Sequence, residues 1–308
     1  MKKYNNFIYT ITFFLLTSGF ISCQKKANSG PNKMEASTSQ EFNDYWYAGV
    51  AEVNSYNLTQ ARYGEEHEGK AVLIFVTEPF SKSKQVKLDY PDQNPDDKQT
   101  VLKLNFTKKF TTGIYPYSMM LSSFTPVETI KYPNTVKVTM SSQEWCGHVY
   151  SQMNLNKNNY DLASFSYFEQ EGDVSKKIEK AFLEDEIWNL IRLNPQALPT
   201  GSIEIIPGLF HTRLLHKNLE PKMANASISD NGNKKTYRLE YLGDKRVLTI
   251  NFQSEFPYKI VSWSEKIVGL NGNEITTSAE LDKTLLIDYW SKNQNKHSYL
   301  RDSLNLLN

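Results

Sequence analysis

The feature that most constrains this chain is a long succession of strand-length apolar runs, each closed by a short polar connection. In 101–110, Val101, Leu102, Leu104 and Phe106 interleave with Lys103, Asn105 and Thr107. That period of two sets alternate side chains on opposite faces of a strand. Residues 71–78 (AVLIFVTE) are instead continuously apolar, as a strand covered on both faces would be. Further strands are expected at 48–64, 114–127, 136–140, 145–155 and 161–170, and then at 202–206, 211–216, 222–229, 235–242, 246–252, 258–268 and 275–287. Strands joined by short polar connections are usually antiparallel neighbours. The run Asp230-Asn231-Gly232-Asn233 is a hairpin signal, because Asn-Gly accepts the positive φ that a tight turn needs, and 269–273 reads as another turn.

Helices are few. Residues 42–47 (FNDYWY) suit a short opening helix, and 296–307 a C-terminal one. The stretch 175–193 carries Ile178, Ala181, Phe182, Ile187, Trp188 and Ile191 near helical spacing, and Asn194-Pro195 ends it. The fold class expected is mainly β: a large curved antiparallel sheet or open barrel over residues 41–308, two meander halves joined by helix 175–193, with a C-terminal helix. The outline is similar to the open sheets of the lipoprotein-carrier type.

The first residues carry an address. Lys2 and Lys3 precede an uncharged apolar stretch, 7–21. This is shorter than the ~20 residues of a membrane-spanning helix and suits the core of a secretory signal, about 7–15 residues long. The run Phe20-Ile21-Ser22-Cys23 resembles the lipobox of bacterial lipoproteins. The resemblance implies cleavage of a 1–22 signal peptide, diacylglycerol on the Cys23 thiol and attachment to a membrane through that lipid. Residues 23–40 are polar and form a flexible tether, with a reach of roughly 20–25 Å. Gln24-Lys25-Lys26 contains neither an acidic export cluster nor an inner-membrane retention Asp, so the expected location is the outer membrane, facing the periplasm.

Charge and cysteine usage exclude several functions. The chain has a net charge of +1, and loss of Lys2 and Lys3 with the signal leaves about −1; no basic excess is present for nucleic acid. Beyond Cys23 the only cysteine is Cys146, so stability rests on packing rather than on an intramolecular disulfide. The 18 Tyr, 16 Phe and 5 Trp favour pleated, half-buried surfaces.

The densest chemical cluster is Gln143-Glu144-Trp145-Cys146-Gly147-His148-Val149-Tyr150. In a strand Cys146 and His148 share a face. They read either as a thiolate–imidazolium pair, the way a cysteine nucleophile is activated, or as a buried thiol and a hydrogen-bonded histidine within the sheet. No partner ligands lie at metal spacing, and no cofactor is implied. Glu184, Asp185 and Glu186, followed by Arg192, read as an exposed acidic helix face. The charged run 62–67 reads as a solvated loop, His211 and His216 as residues on opposite faces of a strand, and Tyr115-Pro116-Tyr117 as core. Phosphate loops, nucleophile elbows and dinucleotide fingerprints are absent.

The segments QARYGEEHEGKAVLIFVTEPF (60–80), TTGIYPYSMMLSSFTPV (111–127), SSQEWCGHVYSQMN (141–154) and FPYKIVSWSE (256–265) resemble an uncharacterised family of Bacteroidetes envelope lipoproteins, over most of the mature chain. Members are sometimes labelled as septum formation inhibitors of the Maf type. The Ser-x-Arg-Arg-type motif of Maf nucleotide pyrophosphatases does not occur here, so that activity is not implied. The combined expectation is a non-enzymatic binding or carrier lipoprotein for an apolar or lipid-like envelope ligand. A Cys146/His148-dependent enzyme and an assembly scaffold are the alternatives.

Overall fold

The computed structural model describes residues 39–269 and 272–306. The signal peptide, Cys23 and all but the end of the expected tether lie outside them. Ser39 caps the first helix, α1 (Gln40–Trp46), its hydroxyl accepting from the Phe42 amide at 3.1 Å; the fold therefore begins at the last residues assigned to the tether.

Seven strands follow: β1 (Ala51–Arg62), β2 (Glu65–Ser81), β3 (Lys98–Thr112), β4 (Tyr115–Pro126), β5 (Lys137–Glu144), β6 (Gly147–Asn156) and β7 (Asn159–Ser166). Next come β8 (Val174–Glu179), β9 (Phe182–Leu183), the helix α2 (Glu184–Leu193), β10 (Gly201–Ile206) and the short helix α3 (Leu209–Leu214). Five more strands, β11 (Lys222–Asp230), β12 (Lys234–Tyr241), β13 (Arg246–Gln253), β14 (Ile260–Val268) and β15 (Glu274–Ile287), lead to the terminal helix α4 (Tyr299–Ser303). All fifteen strands form one sheet, in the order β8-β7-β6-β5-β4-β3-β2-β1-β15-β14-β13-β12-β11-β10-β9. Every pairing is antiparallel except β9 with β10.

The mainly β expectation holds, and the topology adds what periodicity could not supply. The two edge strands, β8 and β9, are consecutive in the chain, with only Lys180 and Ala181 between them. Three residue steps span at most about 11 Å, so the sheet must curl until its edges nearly meet. It is an open barrel whose seam is bridged by the chain and not by a ladder.

Two expected elements change. The helix expected over 175–193 exists only as Glu184–Leu193. Its first part is β8, which pairs with β7 from Ser164↔Val174 to Asn159↔Glu179 and buries Ile178 in the core. Backbone pairing with an otherwise unpaired strand overrides the helical preference of this Lys- and Glu-rich stretch. The strand expected at 211–216 is α3 instead, an insertion between β10 and β11. The expected terminal helix shortens to Tyr299–Ser303, after a 3-10 turn at Asn295–His297. The Asn-Gly turn joins β11 to β12 as expected, with Gly232 at φ +83°.

The barrel is filled. Trp188 of α2 meets Phe106 and Trp263 edge-on, with ring centroids 5.2 and 5.4 Å apart, and Phe106 meets Phe210 of α3 at 5.2 Å. Around β1, β2 and β15 the outer face is covered too: Ala51, Val53 and Val76 pack with Leu304 of the C-terminal segment. That second layer explains the continuous apolar run at 71–78.

Candidate functional site

The acidic triplet on α2 is not a solvated face. Glu184, Asp185 and Glu186 are 5, 5 and 1 % exposed, and Arg192 is fully buried. The reason is position: the helix lies inside the barrel and offers no face to water. Glu184 pairs with Arg246, the first residue of β13, and Arg192 with Glu52, the second residue of β1. Because β1, β15, β14 and β13 alternate in direction, those strands start at opposite ends of the barrel, and α2 runs lengthwise between them.

The upper network, at the α3 end, centres on Arg246. Its Nη2 donates to Glu184 Oε1 at 2.7 Å and its Nε to Glu265 Oε1 at 2.6 Å; its Nη1 also donates to Glu184. The Tyr241 hydroxyl donates to Glu184 at 2.5 Å, and His211 Nδ1 lies 2.6 Å from Glu265. Burial alone would raise both acids, yet Arg246 holds Glu184 below the usual carboxylate range, and with His211 holds Glu265 well below it. Lys108, also buried, contacts Gln60 at 3.3 Å, and desolvation lowers its pKa.

The lower network is a two-pronged Arg192–Glu52 pair at 2.5 and 2.7 Å, with Asn54 donating to Glu52 at 2.7 Å and the Tyr45 hydroxyl donating as well. Against the penalty of burial, Arg192 brings Glu52 down to about 2. Among the described residues Asp185 and Glu186 form no ion pair, and Arg246 acts on Asp185 only at longer range. Asp185 accepts the Leu209 amide at 3.0 Å, and burial beside Glu184 pushes it up to about 8. Glu186 accepts the Leu183 and Thr135 amides at 3.0 and 3.1 Å and is raised by burial to about 7. Gly208, which caps α3, is required here: a Cβ on it would lie 2.5 Å from a Glu184 oxygen and 3.1 Å from an Asp185 oxygen. Adjacent acids with diverging pKa values are the hallmark of acid/base pairs, but the two clefts described below are lined by other residues. They form a structural frame.

Cys146 and His148 do not share a strand face. Cys146 lies in the two-residue turn between β5 and β6 and is exposed, and His148 is exposed on β6. Neither the thiolate–imidazolium pairing nor the buried-thiol reading matches this placement. The Glu144 carboxylate, which accepts the Cys146 amide at 2.8 Å, also hydrogen-bonds the thiol and raises its pKa, the reverse of activation. The same Glu144 lies 3.7 Å from Arg213 Nη2. Trp145 beside it is 68 % exposed and stacks on Tyr115, centroids 6.3 Å apart. Among the described residues no group of three or more His, Cys, Asp or Glu could hold a metal.

Arg213 marks a small cleft of about 90 Å³ between α3 and the inner faces of β5 to β8. Its floor is apolar, with Met140, Val149, Leu162, Leu209 and Leu219; its rim carries Arg213, His216, Lys176 and Lys217 around one acid, Glu171. Arg213 is 5 % exposed, packs its guanidinium on the Phe168 ring at 4.4 Å and contacts Glu171 at 3.1 Å; among the described residues its buried Nε has no partner. His216, in a positive-φ position, also contacts Glu171, at 2.6 Å. Sequence reasoning missed this site because it places 211–216 in a strand.

No family model and no curated protein matches this chain. A solved structure similar to it is the β-barrel-like protein of a domain of unknown function, DUF1849, from Brucella abortus, at 8% identity and TM-score 0.41, covering 78% of this chain and 98% of that one.

Proposed function

We propose that the protein is a non-enzymatic envelope lipoprotein, anchored through Cys23, that binds a small amphipathic ligand in the cleft under α3. The observation that carries the reading is the cleft's division into an apolar floor and a rim where four basic side chains outnumber Glu171, with one buried guanidinium nitrogen unpartnered. The filled interior narrows the carrier idea. A long lipid chain has no room along the barrel axis beside α2, so the ligand is a short apolar group ending in a carboxylate or phosphate.

The test uses the chain with Cys23→Ser, which leaves the barrel residues untouched. Calorimetric titration with octanoate should give saturable binding, and 1-octanol should bind at least about tenfold more weakly, since a charge-assisted hydrogen bond contributes roughly 1.5–3 kcal/mol. Leu219→Trp, which fills the cleft, should abolish both. Equal binding of acid and alcohol, or octanoate binding that survives Leu219→Trp, would sink the reading. The anchor is tested separately: the mass of the membrane-extracted protein should include diacylglycerol, and Cys23→Ser should remove it.

A further inference from the structure

A second cleft lies at the other end of the barrel from α3, and its chemistry differs. It measures about 600 Å³ and lies where the end of α1, the β2–β3 connection and the β4–β5 connection converge. That volume is within the ~300–1,000 Å³ of small-molecule sites, but the lining is polar. Lys82, Lys98 and Lys131 face it with Asp96 and Glu128, and Tyr47 and Tyr132 supply rings.

The lysines are incompletely neutralised. Lys98 reaches Asp92 only at 3.9 Å, Lys131 reaches Glu128 at 3.7 Å, and among the described residues Lys82 has no ion pair. Such exposed contacts contribute little and leave the ammonium groups available to a ligand. Gln99 is the second observation. It lines the cleft at only 7 % exposure, and among the described residues its side-chain amide makes no hydrogen bond. The amide is not among the fully buried unpartnered groups: its polar atoms reach the cleft, where water serves them and a ligand's hydroxyls can replace that water. The site is also held in place: Lys82 N donates to Asp97 O at 2.8 Å and Tyr132 N to Glu128 O at 2.9 Å.

We propose that this cleft binds an anionic oligosaccharide, a chain of sugar rings bearing carboxylates. Cationic excess selects the negative charge. The amide and carboxylate side chains of Gln99, Asp96 and Glu128 match a ligand rich in hydroxyl donors and acceptors. Tyr47 offers a ring to the apolar C–H face of a sugar, and the Tyr132 ring, with the Lys131 ammonium 5.0 Å from its centroid on one face, offers the other. A lipid tail would find no apolar floor, so this site is separate from the cleft under α3.

The experiment is calorimetric titration of the full chain with trigalacturonate, cellotriose and inorganic phosphate. Trigalacturonate should bind, at least about tenfold more tightly than cellotriose, and weaken as salt rises. The Lys98→Gln/Lys131→Gln double variant should lose at least about tenfold of that affinity while octanoate binding at the other cleft is unchanged. Gln99→Leu should weaken both sugars; should it unfold the chain, Tyr132→Ala on the exposed loop makes the same measurement. The proposal is overturned if trigalacturonate fails to bind, if the lysine and tyrosine variants leave binding intact, or if phosphate competes at equal affinity, which would make the cleft a general anion site.

Discussion

The two ends of α2 solve one problem in different ways. At the lower end a single arginine meets a single glutamate, and Asn54 and Tyr45 satisfy the remaining carboxylate valence. At the upper end one arginine serves two glutamates, Glu184 and Glu265, while Asp185 next in sequence has none. Glu184 and Asp185 are equally exposed, at 5 %, yet one is held as a carboxylate and the other is pushed up to about 8. Burial alone does not set the charge of a buried acid; a cation paired directly with it does.

On that contrast Arg246→Met is the most damaging single change, because it removes the cation of Glu184 and leaves Glu265 with His211 alone. Removing one partner of a buried pair costs about 3–5 kcal/mol, and urea unfolding should place Arg246→Met at or beyond the top of that range. Arg192→Met, which strands only Glu52, should fall lower within it. Adding Glu184→Gln to Arg246→Met should recover about 1–3 kcal/mol, the coupling expected of contacting residues. An Arg192→Met loss as large as that of Arg246→Met would erase the distinction between the two ends.

The pH dependence separates the ends further. Asp185 is raised in the folded state, so its contribution is complete below its ordinary pKa near 3.8 and is lost as pH rises through about 8. Glu52 is lowered, so its contribution is present above about 4.5 and is lost as pH falls through about 2. The upper end therefore weakens toward alkali through Asp185 and toward acid through Glu184 and Glu265, whereas the lower end weakens only toward acid. Asp185→Asn should flatten the decline in stability between pH 5 and 8 by about 3–4 kcal/mol. An unchanged slope across that window would show that Asp185 titrates normally.

Much of this frame was within reach of the sequence. Lys108 sits on the same parity as Leu102, Leu104 and Phe106, and β3 buries that row. Arg246 likewise shares parity with Leu248, Ile250 and Phe252, and Glu265 with Trp263. A charge on the apolar phase of a strand signals a buried partner, and these residues on β3, β13 and β14 call for counter-charges inside the barrel. The acids of α2 carry no such mark, because a helix swallowed by a barrel has the same local pattern as one lying on a surface. The α3 cleft was illegible for another reason. Residues 209–214 turn helical inside an insertion between β10 and β11, neighbours that a short hairpin could have joined, and the packing that selects the helix over a strand is tertiary, which local spacing does not show.

The smallest expected effect concerns the acid that is not enclosed with its partner. Glu144 is buried, but the thiol it raises is on an exposed turn, so the perturbation depends on one contact and not on an enclosing frame. Cys146→Ser should leave the urea-unfolding midpoint unchanged, as exposed substitutions generally do. Glu144→Gln should lower the thiol pKa and raise the rate of iodoacetamide alkylation at pH 7.5, since the thiolate is the reactive species. An alkylation rate that rises less than about twofold would place the cause of the raised pKa elsewhere than in that carboxylate. Exposed to solvent, a group keeps its perturbation only as long as its neighbour does; inside the barrel, Asp185 would keep part of its shift through burial even if Glu184 were neutral.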